Sequence, residues 1–460
     1  MKPGLYLLIA MISSIALRAQ TLAEQLDAAV RKTVADSSML HATLGFYVAD
    51  ASDGAKLFEW NGGTGLAPAS TQKIVTAVAA YGLLGKDFRY ATQIGYTGEL
   101  KDGILNGDMV VRGAGDPTFG SNRYGHADAA AVMKEIVEAV QRAGIKQVNG
   151  KLYIDASATG YQPLPGGWIW DDIGNYYGAG TWALNWRENQ YDLLLKPGAE
   201  GTAVEILGTS PELYQLNLVN RLKSGKRGSG DNAYIYQPPY AASGFVEGTY
   251  EGGSKISGSI PNPTRQFAFE LFRELGAAGI LINNNSETVY EPAPACNVFL
   301  THQSPALDSI VYWFMRRSIN LYGEALMKTL GSRQTGMGST DSGVAAVRRF
   351  YDEAGIASRS ELKIIDGSGL SPSNRVTAES LCKILLYARS QEWFPSFLES
   401  FPTYNAMKLK SGTIRGAKSF AGYHTSKDGK TYVVAIIVNN YDGTAGAAVN
   451  KLFSLLDLLK

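Results

Sequence analysis

The sequence predicts an α+β protein, in which a domain of helices and hairpins is split by a long β-rich insertion. Three observations predict it. Residues 21–89 and those after about 290 alternate helical periodicity with short hairpins, whereas residues 90–290 carry short alternating runs broken by Gly and Asp turns. The composition is globular, with 45% hydrophobic and 18% charged residues. A chain of 460 residues is long enough for two or three domains.

The elements follow in order. Residues 1–20 read as an export signal: Lys2 is the positive start, and Leu5 to Leu17 is an apolar run too short to span a bilayer. Cleavage is expected near Ala19 or Gln20, leaving a soluble chain with a charge near −1. Residues 21–40 read as an amphipathic helix with Leu22, Leu26, Ala29, Val30 and Val34 on one face. Thr43 to Asp50 and Lys56 to Trp60 form a hairpin about Ser52-Asp53-Gly54. After Pro68 a helix begins whose residues beyond Lys73 are small or apolar on nearly every side, so it is buried all round.

In the β-rich block, Ala91 to Tyr96, Leu105 to Val111, Lys151 to Ile154, Ala203 to Leu207, Tyr214 to Val219 and Asn232 to Gln237 read as strands. Ala129 to Ala143 and Gln266 to Ala278 read as helices, and Gly160 to Asn189 is rich in glycine and aromatics. No fixed-period repeat is present. Helical texture returns at Leu307 to Met315, Asn320 to Leu330 and Val344 to Ala354. Lys363 to Ile365 reads as a strand, Asp366 to Ser371 as a turn-rich loop and Ala378 to Arg389 as a helix. Lys408 to Ile414, Ser419 to Thr425 and Thr431 to Asn439 read as strands, and Ala445 to Leu459 is the closing helix.

Several function classes are excluded by the totals. A net charge of +1 supplies no basic field for nucleic acid. The four histidines have no ligand spacing, so no metal and no cofactor are expected. Cys296 and Cys382 either form a disulfide or stay as buried thiols; sequence does not say which.

Three short motifs carry chemistry. Ser70 and Lys73 are three apart and share one face of a helical first turn. The helix N-terminus favours negative charge on the hydroxyl, and an ammonium among apolar neighbours loses its proton more readily. That pairing activates a serine without histidine. The pattern alone is weak, since about two chance copies are expected in a chain this long. Two others occur, at Ser360/Lys363 and Ser380/Lys383, but neither serine follows a loop and proline at a helix start. Ser318-Ile319-Asn320 lies between two helices, where it either aims a hydroxyl and an amide into a cleft or caps a helix. Lys410-Ser411-Gly412-Thr413 lies on a strand, where glycine admits a substrate backbone and the lysine and hydroxyls suit a carboxylate; an ordinary edge strand with a bulge reads the same way. A second Lys-Ser-Gly at Lys223-Ser224-Gly225 runs into a basic turn and reads as a solvated loop.

In this order, Ser-x-x-Lys, Ser-x-Asn and Lys-Ser-Gly form the three-motif pattern of active-site-serine penicillin-recognising enzymes. The chain resembles the low-molecular-mass class C penicillin-binding proteins of the peptidase S13 group, which act as D-alanyl-D-alanine carboxypeptidases and endopeptidases. The long insertion between the first two motifs is that group's hallmark. Further matches are Gly115-Asp116-Pro117-Thr118, the Trp168 to Gly178 segment leading to Ala183-Leu184-Asn185, Asp366 to Ser371, and Gly422-Tyr423. Ser411 departs from the usual Thr of the third motif but keeps a hydroxyl.

The resemblance implies a β-lactamase/transpeptidase-like α/β sandwich formed by residues 21–89 and 291–460, with residues 90–290 inserted. It implies Ser70 as nucleophile, Lys73 as base and Ser318 as proton relay with Lys410. Asn320, Lys410, Ser411, Gly412 and Thr413 bind substrate. It further implies peptidoglycan stem peptides and β-lactam antibiotics as partners, at most peripheral membrane association, and a periplasmic or cell-envelope exterior location. A serine β-lactamase or esterase on the same fold is the alternative, disfavoured by the insertion and the lack of an evident extra glutamate base. A non-catalytic envelope-binding protein is a further one, disfavoured by the complete motif set.

Overall fold

The computed structural model describes residues 20–460, so the export-signal reading lies outside the described residues save for Gln20. Among the described residues, a six-stranded antiparallel sheet runs in the order Lys56–Trp60, Thr43–Asp50, Thr431–Asn439, Ala417–Thr425, Met407–Ile414, Thr403–Tyr404. It therefore joins the two ends of the chain. Thr431–Asn439 is apolar without interruption because both its faces are covered. Val434, Ile436 and Val438 pack with Leu26, Val30, Leu452 and Leu455 of the terminal helices. Val433, Ala435 and Ile437 point the other way, into a core shared with the helix Lys73–Leu84. Helix, sheet and helix thus form three layers.

Lys73–Leu84 is the centre of its layer. Every residue from Lys73 to Tyr81 is buried, and the helix packs against Leu307–Arg317, Asn320–Thr335, Thr340–Glu353 and Ala378–Arg389. The all-round small and apolar texture is what this surrounding requires.

The middle of the chain builds two further cores. Ser286–Val289, Leu152–Asp155, Met109–Arg112, Ala91–Tyr96 and Asn297–Gln303 form a mixed five-stranded sheet. The helices Ala129–Arg142 and Pro263–Ala277 pack on it through Val132, Ile136, Phe267 and Leu271. The smaller sheets of residues 190–259 have a separate core about Tyr191, Leu222, Ile235 and Val246. The mixed sheet draws its last strand from beyond residue 290.

Some local readings change. Lys223 and Ser224 end the strand Asn217–Ser224 and are not a solvated loop; the buried Ser224 hydroxyl accepts from Gly198 N–H. The strand expected at Lys363 to Ile365 is Leu362–Lys363, because the Ile365 amide turns away to donate to the Asn374 side chain. Strands Ser243–Tyr250 and Lys255–Ser259 are interrupted by Gly244, Gly248 and Gly258, which blunt the alternation that signals a strand. Cys296 and Cys382 are free thiols.

Ile437 faces the helix layer with no exposed surface. Ile437→Ala is expected to destabilise the protein by about 2–5 kcal/mol, read as a lower midpoint of urea unfolding.

Candidate active site

The three motifs meet at one end of the central helix. Ala69–Gln72 is a 3₁₀ turn that runs into the helix, so Ser70 sits in that turn and Lys73 opens the α-helix. Ala69 adopts a left-handed backbone, φ 47°, which a residue with a Cβ rarely does. Ser70 remains partly exposed while Lys73 is 0% exposed.

Lys73 Nζ donates to Ser70 Oγ at 3.0 Å, to Asn320 Oδ1 at 2.6 Å and to the Ser368 carbonyl at 2.8 Å. Burial pushes its pKa down to about 7, against the opposing pull of Asp366 and Glu324. An ammonium has three hydrogens and all three are placed. When the nitrogen is neutral, its lone pair has Ser70 as a hydroxyl neighbour to accept from.

Ser318 ends the helix Leu307–Arg317 in a left-handed conformation, φ 57° and ψ 39°. It is not a cap for the next helix, whose N-cap is Ile319 without a side-chain bond. Its Oγ instead accepts from Lys410 Nζ at 2.9 Å. Lys410 is buried, also donates to the Ser411 carbonyl at 2.8 Å, and has its pKa held well below the lysine range by burial, Lys73 and Lys418. Asn320 begins the following helix; its Nδ2 donates to the Tyr177 carbonyl at 2.8 Å while its Oδ1 faces Lys73.

Lys410 to Thr413 lie on the strand Met407–Ile414, beside the 3₁₀ turn. A Cβ on Gly412 would stand 2.3 Å from Ser419 Oγ, 2.5 Å from the Pro68 carbonyl and 2.9 Å from Ser70 N. The chain's own serine-bearing turn therefore requires glycine here, whatever else approaches this strand. Ser411 is partly exposed and Thr413 exposed, with Lys418 Nζ donating to Thr413 Oγ1 at 2.5 Å. Ser70, Ser318, Asn320 and Thr413 line one cavity of about 680 Å³. Its far wall comes from the middle of the chain, with Asp171, Asp172, Tyr176, Tyr177 and Tyr234. Burial beside Asp171 raises the Asp172 pKa to about 6.

Sequence reasoning singled out the loop Asp366–Ser371 without a role. Asp366 is fully buried and accepts from Gln72 Nε2 at 3.0 Å, Trp168 Nε1 at 3.1 Å, Gly369 N at 2.8 Å, Ser371 N at 2.7 Å and Asn374 Nδ2 at 2.9 Å. It holds the loop so that the Ser368 carbonyl reaches Lys73. Glu324, Lys328 and the Tyr177 carbonyl were not found from sequence; an acid and a lysine in step with Asn320 every four residues on one helix were the available signal. Among the described residues, no group of three His, Cys, Asp or Glu side chains is placed to hold a metal.

Gly412→Ala is expected to displace the Pro68–Ser70 turn and break the Ser70–Lys73 contact. A crystal structure of the variant, with the Ser70 Oγ to Lys73 Nζ distance read directly, checks this.

The same arrangement can be compared with known proteins. A family model described as the D-Ala-D-Ala carboxypeptidase 3 (S13) family matches residues 26–456. A D-alanyl-D-alanine carboxypeptidase from an Actinomadura species is 26% identical, over 95% of this chain and 84% of that protein. The D-alanyl-D-alanine carboxypeptidase DacB of Haemophilus influenzae is 23% identical, over 87% of this chain and 86% of that one. The crystal structure of penicillin binding protein 4 from Haemophilus influenzae superposes with a TM-score of 0.78 at 22% identity, covering 93% of this chain and 98% of that one. That protein has also been solved in complex with a β-lactam, a structure that matches with a TM-score of 0.75 at 21% identity, over 95% of this chain and 99% of the other. With a match running from the first helix of the sandwich to the last, the chain belongs to the D-Ala-D-Ala carboxypeptidase 3 (S13) family.

Proposed function

We propose that the protein is a serine-type D-alanyl-D-alanine carboxypeptidase and endopeptidase, which cleaves peptidoglycan stem peptides and cross-links through an acyl-enzyme on Ser70. The observation that carries this reading is the 3.0 Å contact between Ser70 Oγ and a wholly buried Lys73 whose pKa falls to about 7.

Neutral Lys73 takes the Ser70 proton as Oγ attacks the carbonyl between two D-alanines. The N–H groups of Ser70 and Thr413 stabilise the oxyanion; each such donor contributes about 3 kcal/mol. Their support is the packing of Gly412 onto Ser70 N, which brings the strand beside the serine-bearing turn. Ser318, hydrogen-bonded to Lys410, passes a proton to the leaving amine. Asn320, fixed between Lys73 and the Tyr177 carbonyl, orients the substrate amide. The hydroxyls of Ser411 and Thr413, with Lys410 and Lys418 behind them, suit the terminal carboxylate. Water then releases the acyl group. β-Lactams acylate the same serine and leave slowly. The substrate places the protein in the periplasm or at the cell-envelope exterior, in keeping with the export-signal reading of residues 1–20. Among the described residues no helix is long and apolar enough to cross a membrane, and any membrane association is taken as peripheral.

Intact mass after incubation with benzylpenicillin, followed by peptide mapping, tests the reading. A single stable adduct on Ser70 is expected, and Ser70→Ala is expected to abolish both the adduct and stem-peptide cleavage. No adduct with intact penicillin would overturn the proposal, and hydrolysed penicillin without an adduct would replace it with a β-lactamase. The rate of acylation is expected to rise as pH increases through about 7, because the free-base form of Lys73 grows in that direction.

A further inference from the structure

The helix Asn320–Thr335 carries a polar stripe on its buried side. Asn320, Glu324 and Lys328 stand four residues apart, one above another on a single face, and are 9%, 0% and 3% exposed. Asn320 serves Lys73. Lys328 donates to the carbonyls of Gln162 at 2.6 Å and Thr181 at 3.0 Å. Glu324, between them, has no part in the chemistry above.

Both Glu324 carboxylate oxygens accept from the Gly367 N–H, at 3.1 and 3.0 Å. The Ser368 hydroxyl also faces it. One residue along the same turn, the Ser368 carbonyl accepts from Lys73. The carboxyl and the lysine thus grip one turn from its two sides. A lone buried carboxylate is costly, and a neutral amide would satisfy the Gly367 N–H as well. What distinguishes a carboxyl here is its charge, and Lys73 is the nearby group whose charge the proposed reaction must change.

We propose that Glu324 is a positioning residue for Lys73: it holds the Gly367–Ser368 turn against the lysine, and its ionisation sets the pH range in which Lys73 is a free base. This rests on the reading of Lys73 as the base for Ser70.

Every charged group around the pair bears on the sign. Burial, with Asp366 on the loop, raises the Glu324 pKa above the usual carboxylate range, and Lys73 opposes that rise. Burial lowers Lys73, while Asp366 and Glu324 oppose that fall. Lys328 on the same helix feels Glu324, and Lys410 on the strand feels Lys73. An ionised Glu324 favours the ammonium, so removing its charge lets Lys73 lose its proton at lower pH.

The test is the pH dependence of benzylpenicillin acylation, followed by intact mass, for the wild-type protein and Glu324→Gln. The glutamine keeps an oxygen for the Gly367 N–H and loses the charge. The acidic limb of the profile is expected to move down by about 1 pH unit, the low end of the effect of one nearby opposite charge. A purely structural role would lower the rate by one factor at every pH and leave the limb in place, and that result would overturn the proposal. If the variant does not fold, infrared difference spectra of the wild-type protein decide. In protein carrying 13C-labelled glutamate, so that the raised Asp116 and Asp172 carboxyls do not contribute, a protonated-carboxyl band is expected to persist above the usual carboxylate range. Absence of a labelled band persisting above that range overturns the proposal. Absence of any wild-type adduct at every pH removes the Ser70–Lys73 reading and this inference with it.

Discussion

Lys73 has no exposed surface, yet its nitrogen meets three fixed partners, from the serine-bearing turn, the Asn320 helix and the Asp366 loop. A buried amine is stable only where its hydrogens are placed, and it is basic in the useful range only where water is excluded. Both conditions fall on the surrounding structure. The helix below Lys73 has to be apolar on every side, the Asp366 loop has to be pinned from five directions, and the Met407–Ile414 strand has to carry glycine where it crosses the turn. The fold can be understood as the set of contacts that keeps one ammonium dry and oriented.

This constraint explains why the middle of the chain is more than an appendage. Asn320 is oriented by the Tyr177 carbonyl, Asp366 receives the Trp168 indole, and Lys328 ties down the carbonyls of Gln162 and Thr181. All four contacts come from the glycine- and aromatic-rich segment between residues 160 and 189. Backbone carbonyls and one indole reach into the catalytic layers, and the same segment supplies Asp171, Asp172, Tyr176 and Tyr177 to the cavity wall. A segment that orients Asn320 and also lines the cavity ties the shape of that cavity to the geometry at Lys73.

Much of this was legible in the sequence where the physics is local or periodic. The apolar helix after Lys73, the hairpin before it and the uninterrupted run Thr431–Asn439 each carry their environment in their composition. The three motifs could be named because their residue types are chemically restrictive. What stayed hidden was set by pairing over long sequence distance. Glu324 looks like any helical acid until Gly367, 43 residues on, lies against it. Tyr177 contributes a carbonyl, which leaves no trace in residue identity. Gly412 could be marked as a close approach, but that the approach includes the Pro68–Ser70 turn needed the fold. The strands of residues 243–259 escaped because their glycines blunt the apolar and polar alternation.

The two lysines of the site show how one environment assigns two tasks. Both are buried, and burial lowers the pKa of each. Lys73 has carboxyls nearby that oppose the fall, so it stays near neutrality and can cycle between charge states. Lys410 has Lys73 and Lys418 nearby, both of which push in the same direction as burial, so its fall goes further. Its hydrogens are committed to Ser318 and the Ser411 carbonyl. A bound carboxylate on the Ser411–Thr413 edge would supply the missing counter-charge and draw Lys410 towards the ammonium form, readying a proton for Ser318. Substrate charge and the proposed proton delivery are then coupled by electrostatics alone, without any rearrangement of the backbone.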